Sequence, residues 1–91
     1  MTLVLSLRRG QDFYVGDQQI EVETIRGKQS FDVRVVATGR VHTITDERAT
    51  EVLPDVFPSS GGRAQEGLAR IAIEAPPDVL ILRGAKYRGE S

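Results

Sequence analysis

The 91-residue chain has no cysteine, which excludes disulfides, thiolate metal sites and cysteine nucleophiles. It also lacks any apolar run near the roughly 20 residues that a membrane-spanning helix requires. No secretory pattern follows Met1, so a soluble, cytoplasmic protein is the expectation. Neither charge is in marked excess: 12 Lys and Arg stand against 13 Asp and Glu, for a net charge of −1. Strong nucleic-acid binders usually carry a basic footprint, and the overall balance here supplies none. His42 is the only histidine. No serine, cysteine or carboxylate cluster is spaced to make it a catalytic base, so a structural or exposed role is expected, in a chain that is not an enzyme and takes no metal or cofactor. Gly61-Gly62-Arg63 departs from the phosphate-loop pattern and reads as a linker. Internal repeats and low-complexity tracts are absent.

What is present reads as one small domain, 1–91, with enough apolar residues, 40% of the chain, for a modest core. A domain this small buries a limited share of its surface, which makes oligomerisation an expected supplement. Charge is placed unevenly. Arg8 and Arg9 make residues 1–10 positive, three basic residues outnumber two acidic ones over 77–91, and six acidic residues outnumber four basic ones over 30–69.

Strand signals dominate. In 3–8, Leu3, Leu5 and Leu7 share one face and Val4, Ser6 and Arg8 the other. Arg9-Gly10 bends the chain, 12–15 is a second strand, and Gly16-Asp17 is a hairpin-type turn. Phe13 and Tyr14 must face opposite ways, which places at least one in the core and argues against an exposed base-stacking platform. Over 19–25, Ile20 and Val22 alternate with Glu21 and Glu23, the period of a half-exposed strand. Strands at 31–36 and 41–45, split by Thr38-Gly39-Arg40, make a candidate hairpin. Thr45 can cap a short helix with Ala49, Val52 and Leu53 on its apolar stripe, ended by Pro54. Asp46 and Glu47 suit that helix's N-terminus better than a metal site. Residues 58–62 read as a flexible loop. Residues 68–73 form a strand with Ala69, Ile71 and Ile73 on one face, 75–78 turns, 79–82 is a nearly continuous apolar strand, and 84–91 reads as a frayed tail.

The two ends, LVLSLRRGQDFYVGD (3–17) and ARIAIEAPPDVLILRGAKY (69–87), resemble the carbon storage regulator (CsrA/RsmA) family of bacterial translational regulators. Leu5, Ser6, Arg8, Gly10, Gly16 and Asp17 fall in register without gaps, as do Arg70, Ile71, Ala75, Pro76, Val79, Arg83 and Tyr87. The match covers roughly half of the chain. Between its halves stands an insertion, approximately 27–65, where the family has a short turn. Leu7 replaces the first arginine of the family's pair, Arg9 stands at a position that is usually not basic, Gln11 replaces a glutamate, and Pro77 replaces a basic residue.

The resemblance implies an all-β fold: an intertwined homodimer of five-strand protomers, here with an inserted β-hairpin and short helix. In that family the first strand of one subunit lies beside the last strand of the other, and two equivalent junctions bind a GGA sequence in an RNA hairpin loop near a ribosome-binding site. Carried over by position, the RNA-binding candidates are Leu5, Ser6 and Arg8, joined by Arg9, with Ala75, Pro76, Ile81 and Arg83 on the partner side. Single-stranded RNA is read through base edges and stacking in loops. Ala75-Pro76 can present main-chain groups to guanine edges, and Arg8 and Arg83 can neutralise phosphates or stack on bases. Each arginine also has a plainer reading: Arg8 and Arg9 as charges that protect a strand edge, Arg83 as a solvated strand end. The expected function is binding of GGA-bearing mRNA or small RNA to control translation or stability. The alternative is a protein-interaction module on the same scaffold, whose acidic insertion binds or antagonises a host regulator.

Overall fold

The computed structural model describes residues 2–27, 30–45, 47, 50–61 and 67–89. Eight strands and one short helix follow in chain order: β1 (Thr2–Arg8), β2 (Asp12–Val15), β3 (Gln18–Gly27), β4 (Ser30–Val35), β5 (Arg40–Thr45), β6 (Phe57–Ser60), β7 (Leu68–Glu74), β8 (Ile81–Arg83) and α1 (Gly84–Tyr87). They form two antiparallel sheets, one ordered β1-β7-β6 and the other β5-β4-β3-β2-β8. The protein is therefore all-β.

Alternation builds each sheet. On β1, Leu5 and Leu7 are buried while Val4, Ser6 and Arg8 are exposed. On β7, Ala69, Ile71 and Ile73 are buried. Their inner faces meet Phe13, Val15, Ile20, Val22, Phe31, Val33, Val35, Ile44 and Ile81 of the second sheet in one core. Burying a side chain of this size contributes roughly 1.5–3 kcal/mol, so these facing rows hold the sheets together. Phe13 is fully buried, and Tyr14, on the opposite face of β2, is half-buried.

The β1–β2 turn sets the site's position. Gly10 has φ +87°, a left-handed conformation that side chains oppose. Its N–H donates to the Val22 carbonyl at 2.9 Å, and Gln11 N–H donates to the Arg8 carbonyl at 3.0 Å. The Gln11 side-chain Oε1 in turn accepts from Arg8 N–H at 2.8 Å.

Several expectations are corrected. Eight strands replace the expected five plus a hairpin: the hairpin is β4–β5, and Phe57–Ser60 adds β6 where 58–62 read as a loop. Pro58 is tolerated there because β6 is an edge strand, where a missing donor breaks no ladder; Gly62 lies outside the described residues. Among the described residues no helix follows Thr45, which ends β5 opposite Ser30. Residues 46, 48 and 49 of that expected helix lie outside the described residues, and 50–56 instead form a turn with a Leu53–Val56 bridge and Asp55 at φ 62°. The last strand is Ile81–Arg83, not 79–82; Leu80 is 64% exposed. The start of the tail is not frayed. It folds into α1 and is pinned to β2 by Arg88 on Asp12 and Tyr87 on Tyr14.

Candidate nucleic-acid interface

The site grows from two free strand edges. Among the described residues, β1 pairs only with β7, and β8 only with β2. Arg83, at the end of β8 and opposite Phe13, reaches across, and its Nη1 donates to the Ser6 carbonyl at 2.8 Å. That bond ties the closing segment of the chain to the opening strand. Ser6 lies directly opposite Arg70 on β7, and Arg8 opposite Leu68. Alternation therefore places Ser6, Arg8 and Arg70 on the outer face of the smaller sheet. Arg8, Arg9, Arg70 and Arg83 are all exposed. None of the four forms an ion pair among the described residues. A guanidinium without a carboxylate keeps its planar fork of donors available to phosphates and base edges.

Beside this corner is a depression of about 190 Å³. The β1–β2 turn (Gly10, Gln11) and Leu7 line it, together with Asp12, Arg83, Gly84, Ala85 and Arg88. Arg88 Nη1 holds Asp12 Oδ2 at 2.7 Å, and Gln19 Nε2 donates to the same oxygen at 2.6 Å. Burial acts to raise the Asp12 pKa, but the hydrogen bonds from Arg88 and Gln19 and the Arg88 charge outweigh it and hold the carboxyl below its ordinary value. Gly84 is required here by close approach: a Cβ at this position would overlap the Asp12 carboxylate.

The remaining candidates lie elsewhere within one chain. Leu5 and Ile81 are buried in the core, which takes their side chains out of reach of a ligand. Ala75 is buried and Pro76 half-buried. Both follow Glu74, which pairs with Thr2 at the end of β1 opposite Arg8. Six strand steps separate the two ends, about 20 Å at the usual rise. A single chain thus gathers Ser6, Arg8 and Arg83 and leaves Ala75-Pro76 apart. His42 sits half-buried opposite Val33 on β5, in the outer strand of the other sheet. Among the described residues, no group of three or more His, Asp or Glu is placed to hold a metal ion, and no helix is long and apolar enough to cross a membrane.

Comparison of the chain with protein-family models, with curated proteins and with solved structures found no match. The site's reading therefore rests on its own residues. Two of them, Arg70 and Arg88, escape sequence reasoning as site members. Arg70 reads as an outward residue of an ordinary strand until Ser6 is placed opposite it. Arg88 lies in a stretch with little apolar content to suggest order.

Proposed function

We propose that this chain is a cytoplasmic RNA-binding regulator that recognises a GGA motif in single-stranded or hairpin-loop RNA and acts on translation or stability of the message. The observation that carries the reading is the Arg83–Ser6 contact, which joins the two segments whose residues resemble the carbon storage regulators. Around it, Arg8, Arg70 and Arg83 provide cations for phosphates, and the Ser6 hydroxyl and the free edge of β1 provide hydrogen-bonding groups for base edges. In this reading the functional unit is an intertwined homodimer. The roughly 20 Å between Arg8 and Ala75-Pro76 in one chain is what a second copy would close, by bringing its own turn to the arginine end.

The test is a titration of a GGA hairpin RNA against the same hairpin with the GGA replaced, read by fluorescence anisotropy, with the oligomeric state measured by light scattering. Tight binding that depends on both the GGA bases and Arg83 is the expected result. Binding indifferent to both removes the transferred site.

A second reading, a protein-interaction module, draws on β5. This outer strand belongs to the inserted region and leaves Val41 52% exposed. Exposed edge strands can recruit an added strand from a partner. Capture of a protein partner that survives nuclease treatment and is lost on deletion of 30–65 would favour this reading over RNA.

A further inference from the structure

Tyr14 and Tyr87 are the only tyrosines, and there is no tryptophan. Their rings stack with centroids 3.8 Å apart and planes within 7°. Tyr14 stands on the outer face of β2, opposite Gln19 and Leu82. Tyr87 ends α1, and the next residue, Arg88, is fixed to the Asp12 carboxylate. The pair is therefore held from both sides rather than meeting by chance on a loose tail. Tyr14 covers one face of Tyr87, and the Tyr87 residue as a whole remains 44% exposed. Between 83 and 88 the chain carries Arg83, Lys86 and Arg88 and no acidic residue. Lys86 precedes Tyr87 within α1, whereas Arg83 ends β8 opposite the buried Phe13, on the other face of the sheet from the stack.

We infer that the Tyr14–Tyr87 stack is a platform on which an unpaired nucleobase of a bound single strand lies as the third ring, with Lys86 and Arg88 beside it in the chain. This rests on the RNA-binding reading above and extends its site from phosphates and base edges to a base face. An exposed aromatic ring accepts any base, because every base has a π-face, and substitution of such a ring by alanine costs roughly 1–3 kcal/mol per base. The platform therefore adds affinity without adding sequence preference, and leaves selection of GGA to the β1 corner.

The chain's fluorescence arises wholly from this pair, which makes the test direct. A GGA hairpin RNA and the same RNA with single abasic loop positions are titrated into the native protein, Tyr87→Ala, Tyr87→Leu, Tyr87→Phe and Arg83→Ala. Tyrosine emission is corrected for RNA absorbance, affinity is read independently by anisotropy of a labelled RNA, and folding is checked by thermal melts. The expected result is quenching of the native protein on binding and a loss of about tenfold in affinity for Tyr87→Ala and Tyr87→Leu. Tyr87→Phe should bind normally, and one abasic position should abolish the quenching. Full affinity in folded Tyr87→Leu, or unquenched emission in a complex that still requires Arg83, overturns the platform and leaves the corner standing. Binding that needs Tyr87 but not Arg83 keeps the platform and overturns the corner. RNA that fails to bind the native protein overturns both.

Discussion

The outer face of the five-stranded sheet and the outer face of the three-stranded sheet use arginine in opposite ways. On the larger sheet Arg26 of β3 and Arg34 of β4 meet carboxylates, and so does Arg88, just past α1, on β2. Arg26 Nη2 lies 2.8 Å from Asp32, Arg34 lies 3.1 Å from both Glu21 and Glu23, and Arg88 lies 2.7 Å from Asp12. On the smaller sheet Arg8 and Arg70 meet none among the described residues, and neither does Arg83 at the edge between the sheets. The first set neutralises carboxylates, two of which, Asp12 and Asp32, are buried. The second leaves positive charge on display. Residue type alone does not separate them; tertiary placement does, as where register sets Glu21 directly across the ladder from Arg34.

Breaking the paired set should produce the largest effect on folding. Asp12→Ala removes the acceptor shared by Arg88 and Gln19 and releases α1 from β2. We expect a loss of about 1–3 kcal/mol in urea unfolding, with hydrogen exchange accelerated at 84–89. An unchanged midpoint would show that the tail is held by the tyrosine stack alone.

Acid should attack the same set. The Arg26 hydrogen bond lowers the Asp32 pKa, against the opposing effect of burial, with help from Thr43 and the Arg26 charge. Asp12 is lowered as well. Folded values below the ordinary 3.8 mean that these carboxylates stabilise the fold above that pH. The stabilisation fades as pH falls through 3.8 and is gone below the lowered folded values. A pH series of thermal melts should show this loss, and Asp12→Asn should flatten part of it.

Arg83→Ala sharpens the contrast from the other side. It should weaken GGA hairpin binding by at least about tenfold, near 1.4 kcal/mol, while the core is left intact. A fall in melting temperature as large as that of Asp12→Ala would reassign Arg83 to the structural set. The smallest effects belong to Arg8→Ala and Arg70→Ala. Each should leave the melt in place and reduce the salt dependence of RNA binding by about 0.7 in log–log slope, the value for one single-strand phosphate. A slope that does not move would mean that these arginines only guard the face.

Much of the fold is legible in residue spacing. Leu5 and Leu7 against Ser6 and Arg8, and Ile71 and Ile73 against Arg70, announce their faces because side chains alternate along a strand. The β4–β5 hairpin is readable from its valines and the Thr38-Gly39-Arg40 turn. Other elements misread for identifiable reasons. Pro58 and the serines after it look like a loop, and become a strand only because β7 offers an unpaired edge. The 45–54 helix signal is local and weak: Thr45 Oγ1 does accept from Glu47 N–H at 3.3 Å, yet no helix follows among the described residues. The tail lacks apolar residues, and its order comes from Asp12 and Tyr14, which are more than 70 positions away. The candidate site divides in the same way: Arg8, Ser6 and Arg83 are named as site residues from their motifs, whereas Arg70 and Tyr87, though in the same matched register, gain their partners Ser6 and Tyr14 only in the fold, and Arg88 lies outside the motifs.

Residue order therefore determines which side chains face inward, where glycine bends the chain, and that the product is a β protein with arginines near both ends; these follow from short-range sterics and from the cost of leaving apolar groups in water. Tertiary structure alone decides that Arg83 reaches Ser6, that Asp12 holds Arg88, and that Tyr87 lies on Tyr14. Such contacts join residues roughly 70 to 80 positions apart, and no local rule of spacing can place their partners before the two sheets close on one core.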